Sequence, residues 1–158
     1  MNRRGLVTKT FFALTCAGVA FPAGAQNLKQ QVVGTWTLTS GSEKLANGKT
    51  IVPWASGNLM LDSTGHVAFF LVGKDRPKTV ANPSMPIGPV IAYYGTYTVD
   101  EPTSTLTYNV EASTSPAFDG AVRKQKVVLS GDKLTTTGSP VKTSDGEIIP
   151  INEWKRAK

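Results

Sequence analysis

The sequence predicts an all-β protein, an antiparallel up-and-down β-barrel of about eight to nine short strands. Three observations predict it. No long segment repeats apolar residues with the 3.6-residue period of a helix; short runs alternate apolar and polar residues instead; and Gly, Asn, Asp and Pro punctuate those runs where hairpins would turn.

The strands follow in order. Val33 to Ser40 puts Trp36 and Leu38 on one face and Thr35, Thr37 and Thr39 on the other. Asn47-Gly48 marks a tight turn, and Thr50 to Val52 begins a short strand before Pro53. Asn58 to Leu61 and His66 to Val72 flank Asp62-Ser63-Thr64-Gly65. Ala92 to Val99 and Thr105 to Glu111 flank Asp100-Glu101-Pro102. Arg123 to Leu129 and Lys133 to Thr137 flank Ser130-Gly131-Asp132, and a last strand runs from Ile148 to Lys155. Hairpin-linked strands of this number close into a barrel or stack as a sandwich, and closure removes exposed edges. Leu106, Tyr108 and Val110 share a face, as an apolar interior requires. Gly73 to Pro89 breaks the rhythm with Pro77, Pro83, Pro86 and Pro89, and is expected to be a long connection at one barrel mouth or a solvated loop.

The N-terminus reads as an export signal spanning residues 1–25. Arg3, Arg4 and Lys9 give it a basic start, Phe11 to Phe21 is an uncharged apolar core, and Ala23-Gly24-Ala25 fits a signal-peptidase site. The core is too short to cross a bilayer, which takes about 20 residues. Arg3-Arg4 loosely resembles a twin-arginine signal, so the export route stays open. Ala13-Leu14-Thr15 before Cys16 fits a lipoprotein box poorly. Cleavage after Ala25 would release a periplasmic or extracellular domain, residues 26–158. It would remove the one Cys and three of the 17 basic residues, leaving 14 against 11 acidic and a charge of +3. Thiol chemistry and disulfides are then excluded. A mild, scattered charge argues against nucleic acid, and Arg123-Lys124-Gln125-Lys126 reads as a strand with a solvated edge.

A single His, His66, argues against a metal site. No phosphate loop or nucleophile elbow is present, and no cofactor is expected. His66 follows a turn glycine, where a strand-start or surface role is ordinary. The chemistry-bearing candidates are aromatic and cationic. Tyr93 and Tyr97 share a strand face with Gly95, whose missing side chain leaves room between them, while Tyr94 points away. Tyr108 on the next strand meets one of these sets if it faces inward. Arg123 shares a face with Gln125, Val127 and Leu129. An inward Arg anchors a carboxylate or enolate because it pairs bidentately and keeps its charge. Phenols beside it would donate to the same oxygen. Phe70 adds an apolar contact surface. The plainer reading has the tyrosines filling the core with their hydroxyls at the rim and Arg123 in solvent.

Four stretches carry a family resemblance: Gly34-Thr35-Trp36, the run Ala92-Tyr93-Tyr94-Gly95-Thr96-Tyr97-Thr98-Val99-Asp100, Gly131-Asp132-Lys133-Leu134, and Trp154-Lys155-Arg156. Asp62 to His66 and Arg76-Pro77 fit the same spacing. Together they resemble the bacterial lipocalin-like domain family, over nearly all of the chain after Ala25. The resemblance implies a small barrel with an internal cavity. It also implies that Trp36 closes one end with Arg156 packed across it. Where many members carry a His pair in the strand after the Tyr-rich run, this chain has Tyr108 and Asn109, so a role resting on those histidines fails here. Three functions remain open: a module binding a small apolar or amphipathic molecule; a cofactor-independent isomerase, cyclase or lyase using Tyr and Arg donors; and an envelope-associated structural barrel with a filled core.

Overall fold

The computed structural model describes residues 27–77, 88–144 and 146–158. The export segment, Pro83 and Pro86 of the long connection, and Asp145 lie outside the described residues.

The alternating runs form ten strands: β1 (Gly34–Leu45), β2 (Thr50–Ile51), β3 (Trp54–Leu61), β4 (His66–Gly73), β5 (Val90–Asp100), β6 (Thr105–Ser113), β7 (Val122–Ser130), β8 (Lys133–Gly138), β9 (Val141–Thr143) and β10 (Gly146–Arg156). Eight of them, β1, β3, β4, β5, β6, β7, β8 and β10, pair with neighbours in an antiparallel sheet that β1 and β10 close into a barrel. β2 flanks β1, and β9 flanks β10. Burial alternates most clearly along β4, where Val67, Phe69 and Leu71 are buried and Ala68, Phe70 and Val72 are less so.

Three features were not expected. A short helix α1 (Leu28–Val32) precedes β1. Asn27 caps it by accepting from the Gln30 N–H at 2.9 Å. The Glu101 carboxylate, from the β5–β6 turn, accepts from the Leu28 and Lys29 N–H groups at 2.9 and 2.8 Å. A 3₁₀ turn at Pro116–Phe118 links β6 to β7. Strand β9 forms because β10 runs back to Gly146 and gives Val141–Thr143 an edge to pair with.

The two barrel ends differ. At the α1 end, Val32 plugs the opening and is fully buried. The Trp36 indole N–H donates to the Val32 carbonyl at 2.8 Å. Arg156 lies 4.1 Å over the Trp36 ring and donates to the carbonyls of Val33 and Gln31 at 2.8 and 2.7 Å. Leu59, Leu106, Tyr108, Leu134 and Trp154 then fill the middle, each under 2 % exposed. Trp154 donates its indole N–H to the Thr136 hydroxyl at 3.0 Å, so this filling leaves that polar group satisfied.

Candidate functional site

The interior stays open toward the other end, ringed by the β1–β2 and β6–β7 connections and by β9. A cavity of about 60 Å³ lies there. Its apolar wall includes Trp54, Phe69, Leu71, Ile91, Phe118 and Ile148, and its polar groups include Glu43, Tyr93, Arg123, Gln125 and Asn152.

Two ladder irregularities build the polar half. In β1, register shifts against β10 between Leu38 and Ser40. Simple alternation from Trp36 would turn Glu43 outward with the threonines; the extra residue reverses the parity and brings Glu43 inward. In β3, register shifts against β4 between Trp54 and Ser56, and Trp54 turns into the mouth. Gly41 admits it, since a Cβ there would sit 2.8 Å from the Trp54 Cβ. The Trp54 indole N–H donates to the Glu43 carboxylate at 3.2 Å. Burial raises the Glu43 carboxyl above its usual value, and the indole hydrogen bond lowers it by less.

Arg123 enters from β7 directly opposite Tyr108 of β6. Its guanidinium lies 4.1 Å from the Phe118 ring centre and 5.7 Å from that of Tyr93. Among the described residues the ion pairs are His66–Asp62 and Arg156–Asp132, so no carboxylate neutralises Arg123. Its Nε is buried without a hydrogen-bond partner among the described residues, and so is the Asn152 Oδ1. Asn152 is 4 % exposed and shares the inward face of β10 with Trp154. Tyr93 stacks on Phe69 at 4.6 Å, and Phe69 meets the Trp154 ring edge-on at 5.7 Å. Burial pushes the Tyr93 phenol well up despite the opposing pull of Arg123, and burial does the same to Tyr108. Both phenols stay protonated through the physiological range, available to donate a hydrogen bond and not to take a proton.

The structure therefore brings together Tyr93 and Arg123, with Tyr108 beneath them at 6.2 Å from the Tyr93 ring. It does not bring in the other two ligand-contact candidates. Tyr97 faces inward, but its hydroxyl donates to the Asp62 carbonyl at 2.7 Å near the sealed end. Phe70 points out of the barrel; with Ala68, Ala92, Tyr94 and Ala112 it lines a shallow outer depression of about 400 Å³. Its neighbour Phe69 occupies the interior. Gly95 makes no ligand room between the tyrosines, because a methyl there would strike the Asn109 carbonyl oxygen of β6. Alternation already placed Asn152 two residues before inward Trp154, a signal that sequence reasoning passed over. Glu43, Trp54 and Phe118 carried no such signal.

His66 opens β4, directly after the β3–β4 turn. Its Nδ1 meets both the Thr64 hydroxyl, at 2.8 Å, and the Asp62 carboxylate, at 3.2 Å. A catalytic relay needs its two partners on different ring nitrogens, so this is a turn network. Hydrogen bonds from the His66 N–H and from Thr64 hold the Asp62 carboxyl at about 2. Among the described residues no three metal-ligating side chains gather, and no helix is long and apolar enough to cross a membrane.

Among solved structures, a redesigned β-barrel is similar at 19 % identity with a TM-score of 0.44, covering 82 % of this chain and 95 % of that one. Comparison with curated proteins returned no match. A family model described as a lipocalin-like domain matches residues 33–157. That stretch takes in every strand of the closed barrel, and the chain belongs to the lipocalin-like domain family.

Proposed function

We propose that this barrel is a binding module for a small amphipathic molecule, held at the open end with its acid group on Arg123. The carrying observation is the state of Arg123: an inward cation between two aromatic rings, with no paired carboxylate and a buried Nε that nothing described accepts from. An uncompensated charge in such a place is costly, and an anion relieves the cost. Trp54, Leu71, Ile91 and Ile148 supply apolar contact beside it.

Volume limits what enters. Sites for whole drug-sized ligands run from roughly 300 to 1,000 Å³. A space of about 60 Å³ takes a head group, and the apolar remainder of the ligand occupies the mouth. The filled middle of the barrel favours a rival reading, a structural barrel that binds nothing. Among the described residues the one carboxylate lining the cavity, Glu43, is held by the Trp54 indole N–H, so an isomerase or cyclase is the weaker reading.

The same proposal places the protein outside the cytoplasm, on the strength of the basic, apolar and small-residue sequence of residues 1–25. Native mass spectrometry of protein recovered from its host's envelope fraction tests both parts. The expected species begins at Gln26 and carries a bound acid. Saturable binding of anilinonaphthalene sulfonate, displaced by octanoate and lost in Arg123→Met, supports the module. A bare mass together with no probe binding refutes it, and a chain that retains residues 1–25 in the cytoplasm refutes export.

A further inference from the structure

We infer that the head group this site selects carries a hydrogen-bond donor beside its acid oxygen, as in a 2-hydroxy acid or an N-acyl amino acid. The inference rests on the acid-binding reading above and adds to it a second contact, at Asn152. Two atoms on the inner wall are buried without partners among the described residues, and they are opposite in kind. Arg123 Nε is a donor, and Asn152 Oδ1 is an acceptor. Both residues line the same cavity of about 60 Å³.

Neither atom can be left unpaired without penalty, and a ligand that brings a complementary group to each relieves it. A plain carboxylate answers Arg123, being an acceptor, and leaves Asn152 Oδ1 facing another acceptor. A head group with an O–H or N–H answers both. Because so few atoms fit, donor and acid oxygen must lie on the same or adjacent carbons. Glu43 strengthens the choice. Its carboxyl lines the same cavity and already accepts from Trp54, so it adds acceptor character opposite Arg123 and disfavours a doubly charged head group. Sites built to pair a ligand hydroxyl reject the analogue that lacks it far more strongly than apolar pockets reject a missing methylene.

The test is calorimetric titration of the full barrel at pH 7 with octanoate, 2-hydroxyoctanoate and octane-1,2-diol. The expected order is 2-hydroxyoctanoate tighter than octanoate by at least about tenfold, with the diol weakest. Asn152→Leu is expected to abolish the difference between the two acids, and Arg123→Met to weaken both acids. Equal affinities of the two acids overturn the inference and leave acid binding standing. Failure of both acids to bind overturns the acid-binding reading and this one with it. The wild-type ratio alone separates these outcomes, so the test holds even if the Asn152 variant does not fold.

Discussion

Replacing Arg123 by Met separates a residue kept for binding from one kept for stability. Met matches the length of the Arg stem and keeps an adaptable contact with the Phe118 and Tyr93 rings. The substitution removes a buried Nε that lacks a partner, and such an unsatisfied donor costs roughly 1–3 kcal/mol. It also removes cation–π contact with rings at 4.1 and 5.7 Å, about 0.5–1 kcal/mol each where the cation is partly hydrated. The two effects leave Arg123→Met between about 1 kcal/mol less and about 2 kcal/mol more stable than wild type. For a domain of this size that is a rise in Tm of up to about 8 °C. Loss of a charge-assisted hydrogen bond worth about 1.5–3 kcal/mol weakens an anionic apolar probe by roughly 10- to 150-fold. Thermal unfolding followed by circular dichroism at pH 7 gives the first quantity and probe titration the second. A variant destabilised by more than about 1.5 kcal/mol would mean that Arg123 braces the rim, and the argument for a binding role would fail.

Other substitutions probe the parts around the site. Arg156→Ala removes two hydrogen bonds to carbonyls and the stack on Trp36, and is expected to cost about 2–4 kcal/mol in denaturant unfolding. Its ion pair with Asp132 adds little, since that carboxylate is 70 % exposed, and probe affinity at the opposite end should not change. Gly95→Ala forces a methyl against the Asn109 carbonyl, so urea unfolding should show a loss of roughly 1–3 kcal/mol; a neutral result would mean that the β5–β6 bulge yields freely. Glu43 governs a pH effect. Its folded carboxyl sits above the ordinary 4.5 because of burial, so between the two values the folded state binds more protons than the unfolded state. That contribution to stability is therefore present below about 4.5 and is lost as pH rises through the raised value. Glu43→Gln should remove this component from a stability–pH profile. Octyl sulfonate, an anion at every pH used, should bind wild type more tightly as Glu43 takes up its proton, and the variant without that slope.

The fold was legible because strand alternation is a local property. Leu106, Tyr108 and Val110 read as inward from their own spacing, and they are. Tyr93 and Tyr97 read as sharing one face, and so did Arg123 with Gln125 and Val127, but which face turns inward stayed open for both sets. Phe70 shows where that logic stops. From Val67 to Val72 both faces of β4 are apolar, so period two carries no parity there; the pairing of Val67 with Leu61 across the turn decides it, and Phe69 goes inside. Tyr97 shows a second limit. Alternation puts it on the face of Tyr93, but how far it lies from the mouth depends on the stagger of strands around the barrel, and stagger is set by all eight together. The candidate site combines both limits. Glu43 and Trp54 reach the mouth through register breaks in β1 and β3, strands that pair with each other at their far ends. The break in β1 follows no Gly or Pro signal, and the one in β3 comes directly after Pro53, which reads as the end of a short strand. In an unbroken ladder, Glu43 would be a surface carboxylate and Trp54 would lose its indole partner. The polar groups around Arg123 thus gather where the ladder departs from regularity, and Arg123, which the pattern reading does single out, lies on a strand whose alternation runs intact into the mouth.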